Sequence, residues 1–193
     1  MDSVQAARPA MSAIKKIPTS LPGVFMLEPR VFADERGFFF ESYNQRAMGE
    51  AGIGQQFVQD NHSCSSRNVL RGLHYQIKHP QGKLVRAADG EILDVAVDLR
   101  RSSPNFGRWE AVRLSGENKR MLWIPAGFAH GFRVLSEKAH VLYKATDFYS
   151  PDDERTLAWS DPDLKINWEL EGPPTVSAKD QRGVLFRDAE TFD

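Results

Sequence analysis

The chain has 193 residues, 41% hydrophobic and 26% charged, with 25 Lys plus Arg against 26 Asp plus Glu and a net charge of -1. That length is enough for one sizeable core, and the balanced charge excludes a bulk attraction to nucleic acid while leaving local basic clusters free to take a small anion. Cys64 is the single cysteine, which excludes an intrachain disulfide and suits a reducing cytoplasm.

Taken in chain order, "MDSVQAARPAMSAIKKIP" (residues 1–18) has no apolar core for a signal peptide and no run able to span a bilayer. With little to bury, it is expected to be a flexible extension, leaving 19–193 as a single domain without a membrane segment. "GVFMLEPRVF" (23–32) and "FFFESYN" (38–44) read as strands on either side of the turn "ADERG" (33–37). "NQRAMGEAG" (44–52) is the one convincing helical stretch of this half. "LRGLHYQ" (70–76) reads as a strand, yet Arg71 and His74 sit among the apolar Leu70, Leu73 and Tyr75. "KLVRAA" (83–88) and "EILDVAVDLR" (91–100) are joined by Asp89-Gly90, a hairpin signal. In the second of these, Leu93, Val95, Val97 and Leu99 alternate with Asp94, Ala96 and Asp98, the pattern of a half-buried strand. Further strand-like runs cover 108–115, 119–136 and 139–150, with helices returning only as short turns near the C-terminus. There is no internal repeat and no low-complexity tract.

Many short strands with tight turns predict a sandwich or closed barrel. "PAGFAHGF" (125–132) resembles the second motif of cupins, so the expected fold is all-β: a cupin-type double-sheet jelly-roll barrel with a few short helices. Barrels of this kind hold ligands in the mouth, which makes inward polar residues candidate site residues.

Cupin metal sites use an HxH pair, a Glu and the later His. Here the strand that should supply the pair reads "GLHYQ", with His74 alone, and none of His62, His79, His130 or His140 lies two residues from another histidine. The site is therefore expected to be free of metal. His74 taken alone reads as a core histidine, but Arg71, Lys83, Tyr143 and "SAKD" (177–180) give it company. Imidazole is the side chain best poised to take a proton near neutral pH, and a carboxylate such as Asp180 on its other nitrogen would fix the tautomer. Tyr143 reads either as a barrel-filling aromatic or as a proton donor to a carbanion. Lys83 is a surface charge or, inside a pocket, a cation set against a developing enolate oxygen.

The blocks "DERGFFFESYN" (34–44), "FVQDNHS" (57–63), "NVLRGLHYQ" (68–76), "QGKLVRA" (81–87), "KRMLWIPAGFAHGF" (119–132), "LYKATDFYSP" (142–151) and "SAKD" together resemble the dTDP-4-dehydrorhamnose 3,5-epimerase family, over about residues 19–185. The resemblance implies a cofactor-independent epimerase acting on dTDP-4-dehydro-6-deoxy-D-glucose. His74 would be the base, Asp180 its partner, Tyr143 the acid on the opposite face, and Lys83 the cation at the C4 oxygen. Arg36, Glu41, Gln59, Asp60, Asn61, Arg71, His130, Glu154 and Lys179 fall at substrate-contacting positions, and Tyr149 at the position that stacks on thymine. A homodimer is also implied, with the "DERGFF" region crossing to the neighbouring subunit's nucleotide site. Arg71 and His74 lie three apart, on opposite faces of a regular strand. If both reach one pocket, Gly72 is expected to mark a bulge or a strand start.

Overall fold

A computed structural model of the chain describes residues 14–193. Alternating side chains and Gly- or Asp-centred turns build thirteen strands: β1 Ile14–Pro18, β2 Phe25–Pro29, β3 Phe32–Asp34, β4 Gly37–Phe39, β5 Gln59–Ser66, β6 Leu70–Gln76, β7 Lys83–Asp89, β8 Glu91–Asp98, β9 Trp109–Ser115, β10 Met121–Ile124, β11 Phe128–Val134, β12 Lys138–Ala145 and β13 Glu154–Thr156. Among the described residues there is one α-helix, α1 Gln45–Ala51, and two 3-10 turns, at Asp180–Arg182 and Phe186–Asp188. A six-stranded sheet ordered β1-β2-β10-β7-β12-β5 faces a five-stranded sheet ordered β13-β6-β11-β8-β9, and β3 with β4 forms a separate ribbon. This is the cupin-type jelly roll.

The helix falls where the sequence places it. Asn44 caps it, its side-chain oxygen accepting from the Arg46 and Ala47 N–H groups at 3.0 and 3.1 Å, and Gly52 closes it in the left-handed conformation. Ala47 and Met48 are buried, and Met48 packs with Phe25, Leu27, Leu84, Met121 and Trp123 on the outside of the larger sheet. Between the sheets lie Val85, Ile92, Leu114, Leu122, Phe132 and Val141. Each such side chain, fully buried, is worth about 1.5–3 kcal/mol.

Three expectations change. Residues 1–13 lie outside the described residues, but Ile14–Pro18 pairs with β2 as an edge strand, so the ordered domain starts inside the span expected to be an extension. Asp89-Gly90 does not close a hairpin: β7 belongs to the larger sheet and β8 to the smaller. Gly90 carries the chain from one sheet to the other, and a Cβ there would collide with the Lys138 carbonyl oxygen and Ala139 Cα. Nor is β8 half exposed, since all its residues after Glu91 are buried. Leu93, Val95, Val97 and Leu99 pack outward beneath a C-terminal cover that includes Leu157, Leu164 and Trp168, while Ile92 and Ala96 join the inter-sheet core. The alternation is real, but its polar face looks into the barrel.

Candidate active site

β6 delivers two site residues through an irregularity at Gly72. Its register against β11 runs from His130 opposite His74 to Phe132 opposite Arg71, so three steps on β6 match two on β11. The additional residue is a bulge, and it turns Arg71 and His74 into the same cavity. Gly72 has φ +106°, and a Cβ there would come 2.6 Å from both Gly131 Cα and the His130 carbonyl oxygen. Only glycine fits that approach.

The C-terminal segment brings the carboxylate. Thr175 is tied to β6 by Leu70 N–H donating to its carbonyl at 2.9 Å, and the Asp180 N–H donates to Ser177 Oγ at 3.1 Å. Asp180 Oδ1 then lies 2.6 Å from His74 Nε2, with the Asp180 side chain only 4% exposed. Burial opposes ionisation of Asp180, but the His74 contact and charge, the Ser177 hydroxyl and the Gly72 N–H outweigh it and hold the carboxyl below its ordinary value.

Across the barrel, strand alternation on β12 sends Tyr143 inward beside Lys83, the first residue of β7, whose ammonium stands 5.9 Å from the Tyr143 ring centroid. Lys83 is 8% exposed. Burial lowers it from 10.5 to about 8, against the opposing pull of Glu154 and Asp94. Burial raises the Tyr143 phenol, assisted by Glu154 and opposed by Arg71, so it holds its proton until a strong base takes it.

These groups sit where two cavities meet. One, of about 500 Å³, contains His74, Asp180, Tyr143 and Lys83 with Arg71, His130 and Lys179. The other, of about 350 Å³, shares His74, Lys83 and Tyr143 and adds Gln59, Asn61, Tyr149 and Glu154. At its mouth the Tyr149 hydroxyl donates to Glu154 Oε2 at 2.8 Å, Lys179 Nζ pairs with Glu154 Oε1 at 2.5 Å, and the Tyr149 N–H donates to Gln59 Oε1 at 2.9 Å. Burial resists the Glu154 charge, but the hydrogen bonds from Lys179 and Tyr149 and the charges of Lys179 and His74 hold its carboxyl below the ordinary value.

Three of the expected site residues are not brought in. Asp60 points to the opposite face of β5, where both its oxygens bond Lys144 at 2.8 and 2.9 Å. Arg36 sits at the exposed tip of the β3–β4 ribbon, paired with Asp34 at 2.5 Å. Glu41 lines neither cavity, and its Oε1 accepts from Asn44 Nδ2 at 3.0 Å.

One neighbour escaped the sequence reading. Asp94 on β8 is fully buried, with Oδ1 2.7 Å from His130 Nε2. The available signal was an aspartate mid-strand among aliphatics, a position that demands a partner. Among the described residues no three His, Cys, Asp or Glu side chains gather as a metal ligand set.

A jelly-roll barrel whose cavity holds a carboxylate-backed imidazole, a phenol and a buried lysine defines a cupin-type enzyme equipped for acid–base chemistry on a carbon beside a carbonyl. The sequence model described as dTDP-4-dehydrorhamnose 3,5-epimerase matches residues 18–188, and the chain belongs to that family. It is similar to the dTDP-4-dehydrorhamnose 3,5-epimerase of Pseudomonas aeruginosa, 64% identical over 174 residues, which are 90% of this chain and 96% of that one. Among solved structures, it is similar to the dTDP-6-deoxy-D-glucose-3,5-epimerase of Legionella pneumophila in complex with dTDP-4-keto-L-rhamnose (48% identity, TM-score 0.89, covering 92% of this chain and 95% of that one). It is also similar to a 3'-monoepimerase from Streptomyces bikiniensis in complex with dTDP-quinovose (32% identity, TM-score 0.83, covering 89% and 87%).

Proposed function

We propose that this enzyme inverts C3 and C5 of dTDP-4-dehydro-6-deoxy-D-glucose to give dTDP-4-dehydro-L-rhamnose, a step of dTDP-L-rhamnose synthesis. The observation that carries this reading is the His74–Asp180 pair sharing a cavity with Tyr143 and Lys83. The C4 ketone acidifies the hydrogens on both adjacent carbons. His74 takes one as a proton, the electron pair moves onto the C4 oxygen, and the Lys83 ammonium stabilises that enolate more than the neutral ketone. Tyr143 returns a proton to the opposite face, and the centre is inverted. Asp180 stabilises the imidazolium formed on the way. Arg71 and Lys179 hold the diphosphate, Arg71 through its forked donors, and Tyr149 stacks on the thymine. No cofactor takes part.

The assembly is a homodimer with a shared nucleotide site. Supporting this, β3–β4 projects as an apolar ribbon with Phe38 58% and Phe39 60% exposed and Arg36 at its tip, away from its own cavity. No helix among the described residues is long and apolar enough to cross a membrane, in keeping with a dTDP-sugar enzyme working in the cytoplasm. Incubation with dTDP-4-dehydro-6-deoxy-D-glucose, the downstream reductase and NADPH tests the reading: dTDP-L-rhamnose is expected. NMR of the direct product distinguishes double from single inversion, and inversion at one carbon only would replace the proposal with a monoepimerase.

A further inference from the structure

The inner face of β5 presents a polar side chain at every second position: Gln59, Asn61, Ser63 and Ser65. At one end Gln59 bonds Asn61 Oδ1 and the Tyr149 N–H, and at the other Ser65 Oγ accepts from Arg71 Nε at 3.0 Å. Asn61 Nδ2 and Ser63 Oγ are both buried without a hydrogen-bond partner among the described residues, and in Ser63 the orphan is the side chain's single polar atom. A hydroxyl left so is destabilising, and alanine would fill the same volume without that penalty. Unlike the orphaned Glu41 Oε2 and Thr191 Oγ1, whose residues line neither cavity, Ser63 Oγ belongs to a residue that lines one, where a ligand group can supply the missing partner.

Its position says which part of the ligand. In the β5–β12 register Asn61 faces Tyr143 and Ser63 faces Val141, so Ser63 is the diagonal neighbour of Tyr143 on the cavity side. It lines the cavity that holds His74, Tyr143, Lys83 and Asp180, and is absent from the lining of the one that holds Tyr149 and Gln59. We infer that Ser63 is a further substrate-binding residue, whose hydroxyl bonds a hydroxyl group of the 4-ketohexose and holds the ring between His74 and Tyr143. This rests on the function proposed above. A serine hydroxyl suits the task because it donates or accepts by rotation and can follow the sugar as its centres invert.

Ser63→Ala tests this with three readouts. The KM for dTDP-4-dehydro-6-deoxy-D-glucose is expected to rise about 3- to 10-fold, the range of one neutral hydrogen bond. The inhibition constant of dTDP, which lacks the hexose, should stay unchanged, and the Tm should be unchanged or higher because an unsatisfied hydroxyl is removed. An equal weakening of dTDP would move the contact to the diphosphate and overturn the assignment to the hexose. An unchanged KM in an otherwise active protein, with or without a fall in Tm, would overturn Ser63 alone. A wild-type protein that neither binds nor converts the sugar nucleotide would overturn both this inference and the function it rests on.

Discussion

His74 Nε2 and Asp180 Oδ1 stand 2.6 Å apart across a separation of 106 residues. Nothing local joins them; the C-terminal segment reaches back along β6 to make the pair. Removing either partner therefore tests a different property. His74→Ala is expected to abolish solvent deuterium incorporation at both C3 and C5, with a rate loss of about 10²–10⁴-fold or more. Exchange at the wild-type rate, read by mass spectrometry of substrate recovered from D₂O, would reduce His74 to a core histidine.

Asp180→Asn keeps the shape and removes the charge. Asp180 is held below its ordinary value of 3.8, so its share of stability is complete above that value and is lost as the pH falls through the lower folded one. The variant should be about 1–3 kcal/mol less stable at neutral pH, and its denaturation curve should converge on the wild type's below pH 4. A constant gap across that acid range would contradict the linkage.

Tyr143→Phe separates exchange from inversion. The ring stays and only the hydroxyl leaves, so packing survives, while His74 still forms the enolate and returns deuterium to the face it came from. NMR should show labelled substrate of unchanged configuration. Normal inversion would mean that another group is the acid.

Lys83 sets an alkaline limit. Its folded value of about 8 lies below 10.5, so the folded state binds fewer protons than the unfolded chain between those two values. Below about pH 8 the charged form carries a burial penalty of about 3 kcal/mol, and stability owed to this group rises with pH through the window. Activity runs the other way, because the enolate needs the cation: kcat should fall above about pH 8. Lys83→Arg should carry that limb upward, since guanidinium stays charged. An unmoved limb would assign it to another group.

Chelation should do nothing. No three ligand-type side chains gather among the described residues, and every proposed step uses a side chain. Full activity is expected after exhaustive EDTA treatment, and loss restored by one metal would refute the cofactor-free scheme.

The exposed ribbon predicts complementation. Arg36→Ala and His74→Ala subunits, each inactive alone, should regain part of the activity when mixed and exchanged, because one mixed site keeps both residues. No recovery in demonstrated heterodimers would place Arg36 outside the neighbouring site.

Much of this was legible in the residues because it is local. Period-two alternation marked β8 and β12, and Asn44 and Gly52 marked the ends of α1. Alternation put Tyr143 on one face with Val141 and Ala145, without saying that this face is the inner one. The roles of His74, Asp180, Tyr143 and Lys83 came from their place in motif blocks resembling a family, not from periodicity.

What the chain could not state alone was which face of each strand is the inside, and which sheet each strand joins. Asp89-Gly90 has hairpin chemistry, yet it spans two sheets because β7 pairs with β10 and β12 while β8 pairs with β9 and β11. β8 looked half exposed because the C-terminal cover over Leu93, Val95 and Val97 is a tertiary event with no local signal. Asp60 and Asn61 are adjacent in one motif, but the pleat sends them to opposite faces, and only Asn61 lines the cavity with Tyr149 and Glu154. The sequence by itself determined the helix and strands such as β6, β8, β9 and β12, since these depend on neighbours within a few positions. The tertiary structure alone decided the Asp94–His130 pair, and it turned the expected Asp180 partner and the expected irregularity at Gly72 into a 2.6 Å contact and a bulge, because each is set by long-range packing between strands and segments that meet only when the barrel closes.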